Sequence, residues 1–166
     1  MRQVNLGCGL NRLDGWENYD SDVDLTKPLP WEDNSIDFIL LEHVLEHLTP
    51  QQGYSCLKEC YRVLTTGGTL RVIVPEIYRI LMGRKHHPEY NEFVKTFGFD
   101  DAVDAIIYGH GHQSIFSEDL LRQLLTAIGF RGEFKEADSD KTIDGHWRII
   151  GTQFDKIESF RVEAVK

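Results

Sequence analysis

The sequence lacks several features that mark special classes of protein. Its 166 residues include three cysteines, an odd number without the spacing of a disulfide framework, so we expect a reducing, cytoplasmic location. No apolar run approaches the roughly 20 residues of a membrane span. Residues 1–6 lead directly into a strand-like run without a signal-peptide pattern. The sequence also has no internal repeat and no low-complexity tract, which argues against fibrous and disordered classes.

Positive charge is scarce as well. The chain has 18 Lys and Arg against 27 Asp and Glu, giving a net charge of −9. A protein that binds nucleic acid along its phosphate backbone needs a basic surface, so we expect no bulk nucleic-acid partner. The length and a hydrophobic content of 41% predict a single domain over residues 1–166 with a core of its own.

Alternating apolar runs predict an α/β fold with a doubly wound, mostly parallel, Rossmann-like sheet and an antiparallel edge. Strands are predicted at residues 4–6, 16–20, 36–41 and 69–74, with a short extended piece at 21–24 and a closing pair at 130–137 and 143–154. Helices are predicted at residues 49–64 and 118–128, the first ended by Gly67 and Gly68. Cys56 and Cys60, four residues apart on the first helix, are interpreted as small core residues.

A glycine turn and two acids follow the first three predicted strands. The first strand ends in Gly7-Cys8-Gly9, and the next two end on Asp20 and Asp24. Ligands of open parallel sheets bind beyond the carboxyl ends of the strands, where carboxylates can accept hydrogen bonds from a ribose diol or an adenine amino group. Arg12 replaces the third glycine of the dinucleotide fingerprint, so the pattern favours an adenosine without a pyrophosphate. The alternative is a plain turn with two surface acids.

These residues, together with motifs further along the chain, resemble a class I S-adenosylmethionine-dependent methyltransferase of the small, type-11-like kind. The motifs are Asn5-Leu6-Gly7-Cys8-Gly9, Asp20, Asp24-Leu25, Pro28-Leu29-Pro30-Trp31, residues 34–39, His43-Val44-Leu45-Glu46-His47, residues 59–64, residues 67–70 and residues 127–130. The resemblance covers roughly residues 2–154, and the order of the motifs is specific although each one is common. It implies methyltransferase activity with S-adenosylmethionine as the cofactor.

The resemblance also implies roles for individual residues. Gly7 to Gly9 would pass under the methionine part of the cofactor, Asp20 would hold the ribose, Asp24 and Leu25 would meet the adenine, and Glu42 and His43 would border the sulfonium. The implied cofactor-binding residues are Asn5, Gly7, Cys8, Gly9, Asp20, Asp24, Leu25 and Glu42. About ten residues separate the first two strands, so we expect the crossover helix to be shortened or absent. Residues 76–116, or a second subunit in a homodimer, are then expected to form a lid and substrate insertion over an open pocket.

A histidine and glutamate cluster follows the strand at residues 36–41. His43, Glu46 and His47 stand at i, i+3 and i+4, which share one face of a helix. The string matches a zinc-protease motif, but the glycine turn belongs to another kind of enzyme. It also resembles the Glu-x-x-Glu-His metal segment of some methyltransferases, with His43 in the first position. His112, together with His110, could complete a divalent metal site, for which zinc, iron or manganese suits these ligands better than magnesium. A helix start without metal is the alternative.

His43 and His112 are the candidate catalytic bases, because imidazole exchanges protons near neutral pH. We expect a small-molecule acceptor that presents a hydroxyl or amine, such as a sugar. The aromatic residues between 78 and 108 are interpreted as a small core helix, the floor of a substrate pocket or a dimer patch. A cofactor-binding but catalytically silent subunit of a complex is the alternative function.

Overall fold

The computed structural model describes residues 1–86, 102–136 and 159–166, together with single residues between 89 and 100. The strands are β1 (Gln3–Leu6), β2 (Glu17–Tyr19), β3 (Ile36–Glu42), β4 (Leu64–Pro75), β5 (Arg131–Glu136) and β6 (Ser159–Val165). The described helices are α1 (Pro50–Val63), α2 (Ile77–His86), α3 (Ala102–Tyr108) and α4 (Glu118–Ile128), with short 3-10 helices at Leu45–His47 and Gly109–Gly111. None of the helices in these ranges is long and apolar enough to cross a membrane.

The six strands form one sheet in the order β2-β1-β3-β4-β6-β5. The first four are parallel, and β6 runs antiparallel between β4 and β5. This arrangement confirms the predicted doubly wound, mostly parallel sheet with an antiparallel edge. The chain moves outward from β1 in both directions, so the carboxyl ends of β1 and β3 border the crevice where open sheets of this kind bind ligands.

Helix α1 forms where the sequence supplies both a start signal and an apolar face. Thr49 caps its N-terminus in a reciprocal capping box with Gln52, and Pro50 occupies the first helical position. Cys56 and Cys60 are fully buried against the sheet, which confirms their interpretation as core residues. The predicted glycine stop is wrong, because the helix ends at Val63 and β4 begins at the next residue, before the glycines.

No helix forms between β1 and β2, as predicted, and residues 7–16 form turns and irregular segments. Two side chains from this connection cover part of the sheet instead. Leu13 and Trp16 pack against Phe38, Leu40 and Ile73, and the rings of Trp16 and Phe38 meet edge to face with their centroids 5.2 Å apart. The short connection therefore still buries apolar surface on this face of the sheet.

Two asparagines hold the same connection in place. The buried Asn5 side chain donates to the carbonyl of Asn11 at 2.9 Å and to Oδ1 of Asn18 at 3.0 Å. Asn18 in turn accepts from the backbone N–H of Leu13 and donates to the carbonyls of Leu13 and Trp16. These hydrogen bonds satisfy backbone groups that a helix would otherwise pair internally.

Two of the strand predictions need correction or lie outside the described residues. Residues 21–24 form a turn, because the Asp24 carboxylate accepts from the backbone and hydroxyl of Thr26 and competes with strand formation. The strand predicted at 143–154 lies outside the described residues. The antiparallel partner of β4 is β6, which buries Phe160, Val162 and Ala164 in alternation, a strand pattern that the prediction missed.

Candidate functional site

A pocket of about 190 Å³ lies at the carboxyl ends of β1 and β3. Its lining residues are Asn5, Gly7, Cys8, Gly9, Leu10, Asn11, Glu42 and His43. The structure thus brings together five of the predicted cofactor-binding residues and one candidate base. Leu10 and Asn11 were not predicted, and the only signal for them is that they continue the glycine turn.

Gly7 lies where no other residue fits. Its φ angle is +66°, and a Cβ on its backbone would stand 2.4 Å from Cγ2 of Val44, the second residue after β3. Gly9 also has a positive φ, +49°, but no atom lies within 4 Å of where its Cβ would be. Gly7 therefore lets the end of β1 pack directly against the Val44 side chain, and this close approach lies at the pocket.

Asp20 lies beside the glycine turn, directly after β2. Its Oδ1 accepts a hydrogen bond from the backbone N–H of Gly9 at 3.3 Å, and the preceding carbonyl of Tyr19 accepts from Cys8 at 3.0 Å. The side chain is otherwise exposed. Asp20 is thus held at the rim of the pocket, in a position to accept hydrogen bonds from a ligand.

Asp24 and Leu25, the other two predicted cofactor residues, do not line the pocket. Leu25 packs against the main hydrophobic core. Hydrogen bonds from the Thr26 hydroxyl and backbone, followed by the Lys27 ammonium 3.1 Å from Oδ2, lower the pKa of Asp24 to about 2. Asp24 is therefore an ionised acid that is engaged within its own turn.

His43 adopts an unusual backbone conformation at the end of β3. Its φ of +52° is rare for a residue with a side chain, and its N–H donates to the carbonyl of Ile73 in β4 at 2.9 Å. Nδ1 lies 3.1 Å from Oε1 of Glu46, and Nε2 lies 3.5 Å from the hydroxyl of Ser159. A strained backbone that directs an imidazole to a pocket supports a functional role for this residue.

Glu46, His47 and His112 bring one ligand atom each to within 4.8 Å of one another. Glu46 is only 2% exposed, and its Oε2 has no hydrogen-bond partner among the described residues. His43, predicted as a further ligand, lies outside this group and contacts Glu46 instead. The side chain of His110 lies outside what the structure describes.

Backbone hydrogen bonds bring His112 next to Glu46 and His47, which lie some 65 residues earlier in the chain. The N–H groups of Gln113 and Ser114 both donate to the carbonyl of Glu46, at 2.7 and 3.1 Å. The rings of His47 and His112 then meet edge to face, with their centroids 5.0 Å apart. Two imidazoles and one buried carboxylate form a donor set that suits zinc or another transition metal.

Comparisons with known proteins match one segment of the chain to a family and identify the fold. A profile of the family described as "Methyltransferase domain" matches residues 17–72, from β2 into β4. This segment contains Asp20, Glu42 and the histidine and glutamate cluster, and the glycine turn lies just before it. No curated protein matches the chain.

Solved structures show the same fold over 99% of the chain. A SAM-dependent methyltransferase of Thermotoga maritima is 20% identical, with a TM-score of 0.60 and 82% of its own chain covered. One from Archaeoglobus fulgidus is 15% identical, with a TM-score of 0.58 and 86% covered. Another, from Methanosarcina mazei, is 18% identical, with a TM-score of 0.58 and 92% covered. The fold is that of class I methyltransferases.

The two glycines provide a matched pair of substitutions. Gly9→Ala places a side chain in open space at positive φ, which costs roughly 1–2 kcal/mol of unfolding free energy. Gly7→Ala adds a clash with Val44, and we expect a total loss of roughly 2–5 kcal/mol together with displacement of the pocket floor. Urea denaturation measures both variants. Equal losses would contradict the close approach described here.

Proposed function

We propose that this chain is a class I S-adenosylmethionine-dependent methyltransferase and that it methylates a hydroxyl or amine of a small molecule such as a sugar. The observation that carries the proposal is a single pocket in which a glycine turn, an acid at the rim and an imidazole converge. The net charge of −9 supports a small acceptor over bulk nucleic acid.

The residues of the pocket fit the cofactor. Gly7 lets the end of β1 pack against Val44, Gly9 leaves open space where a Cβ would stand, and Asp20 lies beside this turn as an acceptor for ribose hydroxyls. Asn5 and Glu42 line the same pocket, while contacts of Asp24 and Leu25 with the adenine stay predictions. When bound, S-adenosylmethionine supplies a methyl group on a sulfonium, which a nucleophile can displace.

His43 is the favoured base because it lines the pocket and is oriented by a buried carboxylate. The contact of Nδ1 with Glu46 favours a proton on that nitrogen, so the lone pair lies on Nε2, which faces the Ser159 hydroxyl at 3.5 Å and would take a proton from the acceptor hydroxyl or amine in its place. His112 is the second candidate base. His112 is one of the three possible metal ligands, together with Glu46 and His47, so its roles as base and as metal ligand are alternatives.

We also propose that residues 76–116, or a second subunit in a homodimer, cover the pocket. The pocket of about 190 Å³ is smaller than the roughly 300–1,000 Å³ of typical small-molecule sites. Leu10, on its lining, is fully exposed in the described structure. Both features support an additional covering element.

The three cysteines are free thiols, which supports the cytoplasmic location that belongs to this proposal.

Titration of the metal-stripped chain with S-adenosylmethionine and S-adenosylhomocysteine tests the cofactor site. We expect binding that Asp20→Ala weakens about 10- to 100-fold, the loss expected for hydrogen bonds to a charged group. Glu32→Ala is the control, because it removes an exposed acid before β3, at the opposite edge of the sheet. Isothermal titration calorimetry measures all three proteins. No binding by the folded wild type would contradict the proposal.

A divalent metal at Glu46, His47 and His112 is a further part of the proposal, supported by the orphaned Oε2 of Glu46. A metal there would act as a Lewis acid beside Glu46, whose other oxygen contacts His43 of the pocket lining. We expect chelation, Glu46→Ala and His112→Ala each to abolish turnover while cofactor affinity stays intact. A radiolabelled methyl-transfer assay and metal analysis measure this. Full activity after exhaustive chelation would show that turnover does not need a metal. No turnover by wild type on any acceptor pool would favour a cofactor-binding but catalytically silent subunit.

A further inference from the structure

A second, open pocket of about 490 Å³ lies beyond the carboxyl end of β4. It is formed where the first turn of α2 meets the first turn of α4. Its walls include Glu76, Tyr78 and Met82 from the α2 side and Asp119 from the α4 side. The two sides are joined by a hydrogen bond from the N–H of Ile77 to the carbonyl of Phe116 at 3.1 Å. Neither the family match nor the cofactor site accounts for this pocket.

Glu76 is the unusual residue of this pocket. Its side chain is almost fully buried, with 4% of the residue exposed. Oε2 accepts from the backbone N–H of Arg79 at 2.7 Å and thereby caps α2, but Oε1 has no hydrogen-bond partner among the described residues. A buried carboxylate oxygen without a donor is costly in free energy, and a ligand that supplied a donor would remove this cost.

The surroundings of Glu76 favour a cationic ligand with an apolar stem. Three acids line the pocket, and Arg79 is the one cation among its described lining residues. Glu118 is neutralised by Arg122 at 2.8 Å, whereas Asp119 is exposed. Tyr78 and Met82 are 65% and 53% exposed, so an aromatic face and a thioether are available for a cation–π contact and for apolar packing.

The pocket lies at the same edge of the sheet as the cofactor site. Glu42 at the end of β3 is level with Ile73 in β4, and Glu76 follows three residues later in the same direction. Pro75 pairs with Ser159 of β6, whose hydroxyl lies 3.5 Å from Nε2 of His43. Glu76 is therefore connected to His43, the candidate base, through the pairing of β4 with β6.

We infer that the pocket at Glu76 anchors the acceptor molecule through a cationic amine, with the Glu76 carboxylate accepting its hydrogen bonds, the Tyr78 ring facing the ammonium group and Met82 packing on the apolar stem. This inference rests on the proposed function and narrows its substrate class from any small hydroxyl or amine compound to one that carries a protonated amine. The amine that binds at Glu76 need not be the group that is methylated.

A matched pair of probes tests the anchor directly. Phenethylamine and 2-phenylethanol share an aromatic stem and differ in the cationic group. We expect wild type to bind the amine at least about tenfold more tightly than the alcohol. This ratio corresponds to the free energy of a hydrogen bond between charged groups. In Glu76→Gln, which retains an oxygen to cap α2, the ratio is expected to fall to near one. Chemical-shift titration of the amides in α2 and at the start of α4 measures both affinities.

Two further variants make the result decisive. Glu32→Gln changes the net charge equally at the far edge of the sheet, so it should keep the wild-type ratio and exclude a general attraction of amines to an acidic protein. Tyr78→Leu alters an exposed side chain and is expected to weaken amine binding two- to fivefold, about the value of an exposed cation–π contact. It provides a folded variant if Glu76→Gln is unstable.

Equal affinity for both probes in wild type, or a ratio that Glu76→Gln and Tyr78→Leu leave unchanged, would overturn the inference. Titration of the same samples with S-adenosylhomocysteine separates this outcome from failure of the proposed function. Binding of S-adenosylhomocysteine without amine selectivity would refute the anchor alone. Amine selectivity without binding of S-adenosylhomocysteine would support the anchor and refute the cofactor site.

Discussion

The site depends on the close approach of Gly7 to Val44. Two parallel neighbours, β1 and β3, end at the same level, and the chain leaves both strands through residues with positive φ, Gly7 and His43. The first of these turns packs against Val44 and lines the pocket, and the second directs an imidazole toward Glu46 and the pocket. A side chain at Gly7 would push the two strand ends apart and change both features together.

The chain makes this site with little structure around it. The crossover between β1 and β2 has no helix, and Trp16 packs on Phe38 where a helix would otherwise cover the sheet. Asn5 serves both the connection and the pocket. Its buried side-chain amide holds the connection through Asn18, and the same residue lines the pocket. Substitution of Asn5 would therefore affect the pocket and the packing of the connection at once.

Local patterns were readable from the sequence, and contacts between distant segments were not. Gly7, Gly9 and Asp20 could be predicted because a strand end and a turn are local features. Asp24 was predicted at a strand end, but Thr26 and Lys27 offer its carboxylate partners within the same turn. His43 was placed on a helix face with Glu46 and His47, yet the 3-10 helix begins at Leu45 and leaves His43 outside it.

Long-range pairing explains the remaining differences. His112 joins Glu46 because two backbone N–H groups after it find the Glu46 carbonyl, which spacing alone does not reveal. The alternation in β6 was present in the sequence, but the earlier apolar run at 143–154 competed with it. Glu76 resembled an ordinary acid after a strand, and only its burial and its unpaired oxygen single it out.

We propose that the turn after β1 and the residues after β3 form one cofactor site. It is tested most directly by backbone amide chemical shifts of the isotope-labelled chain as S-adenosylhomocysteine is added. We expect the largest changes at the amides of Gly7 to Asn11 and of Glu42 to Val44, with a smaller change at Asp20. Changes confined to other segments, with these amides unmoved, would contradict it.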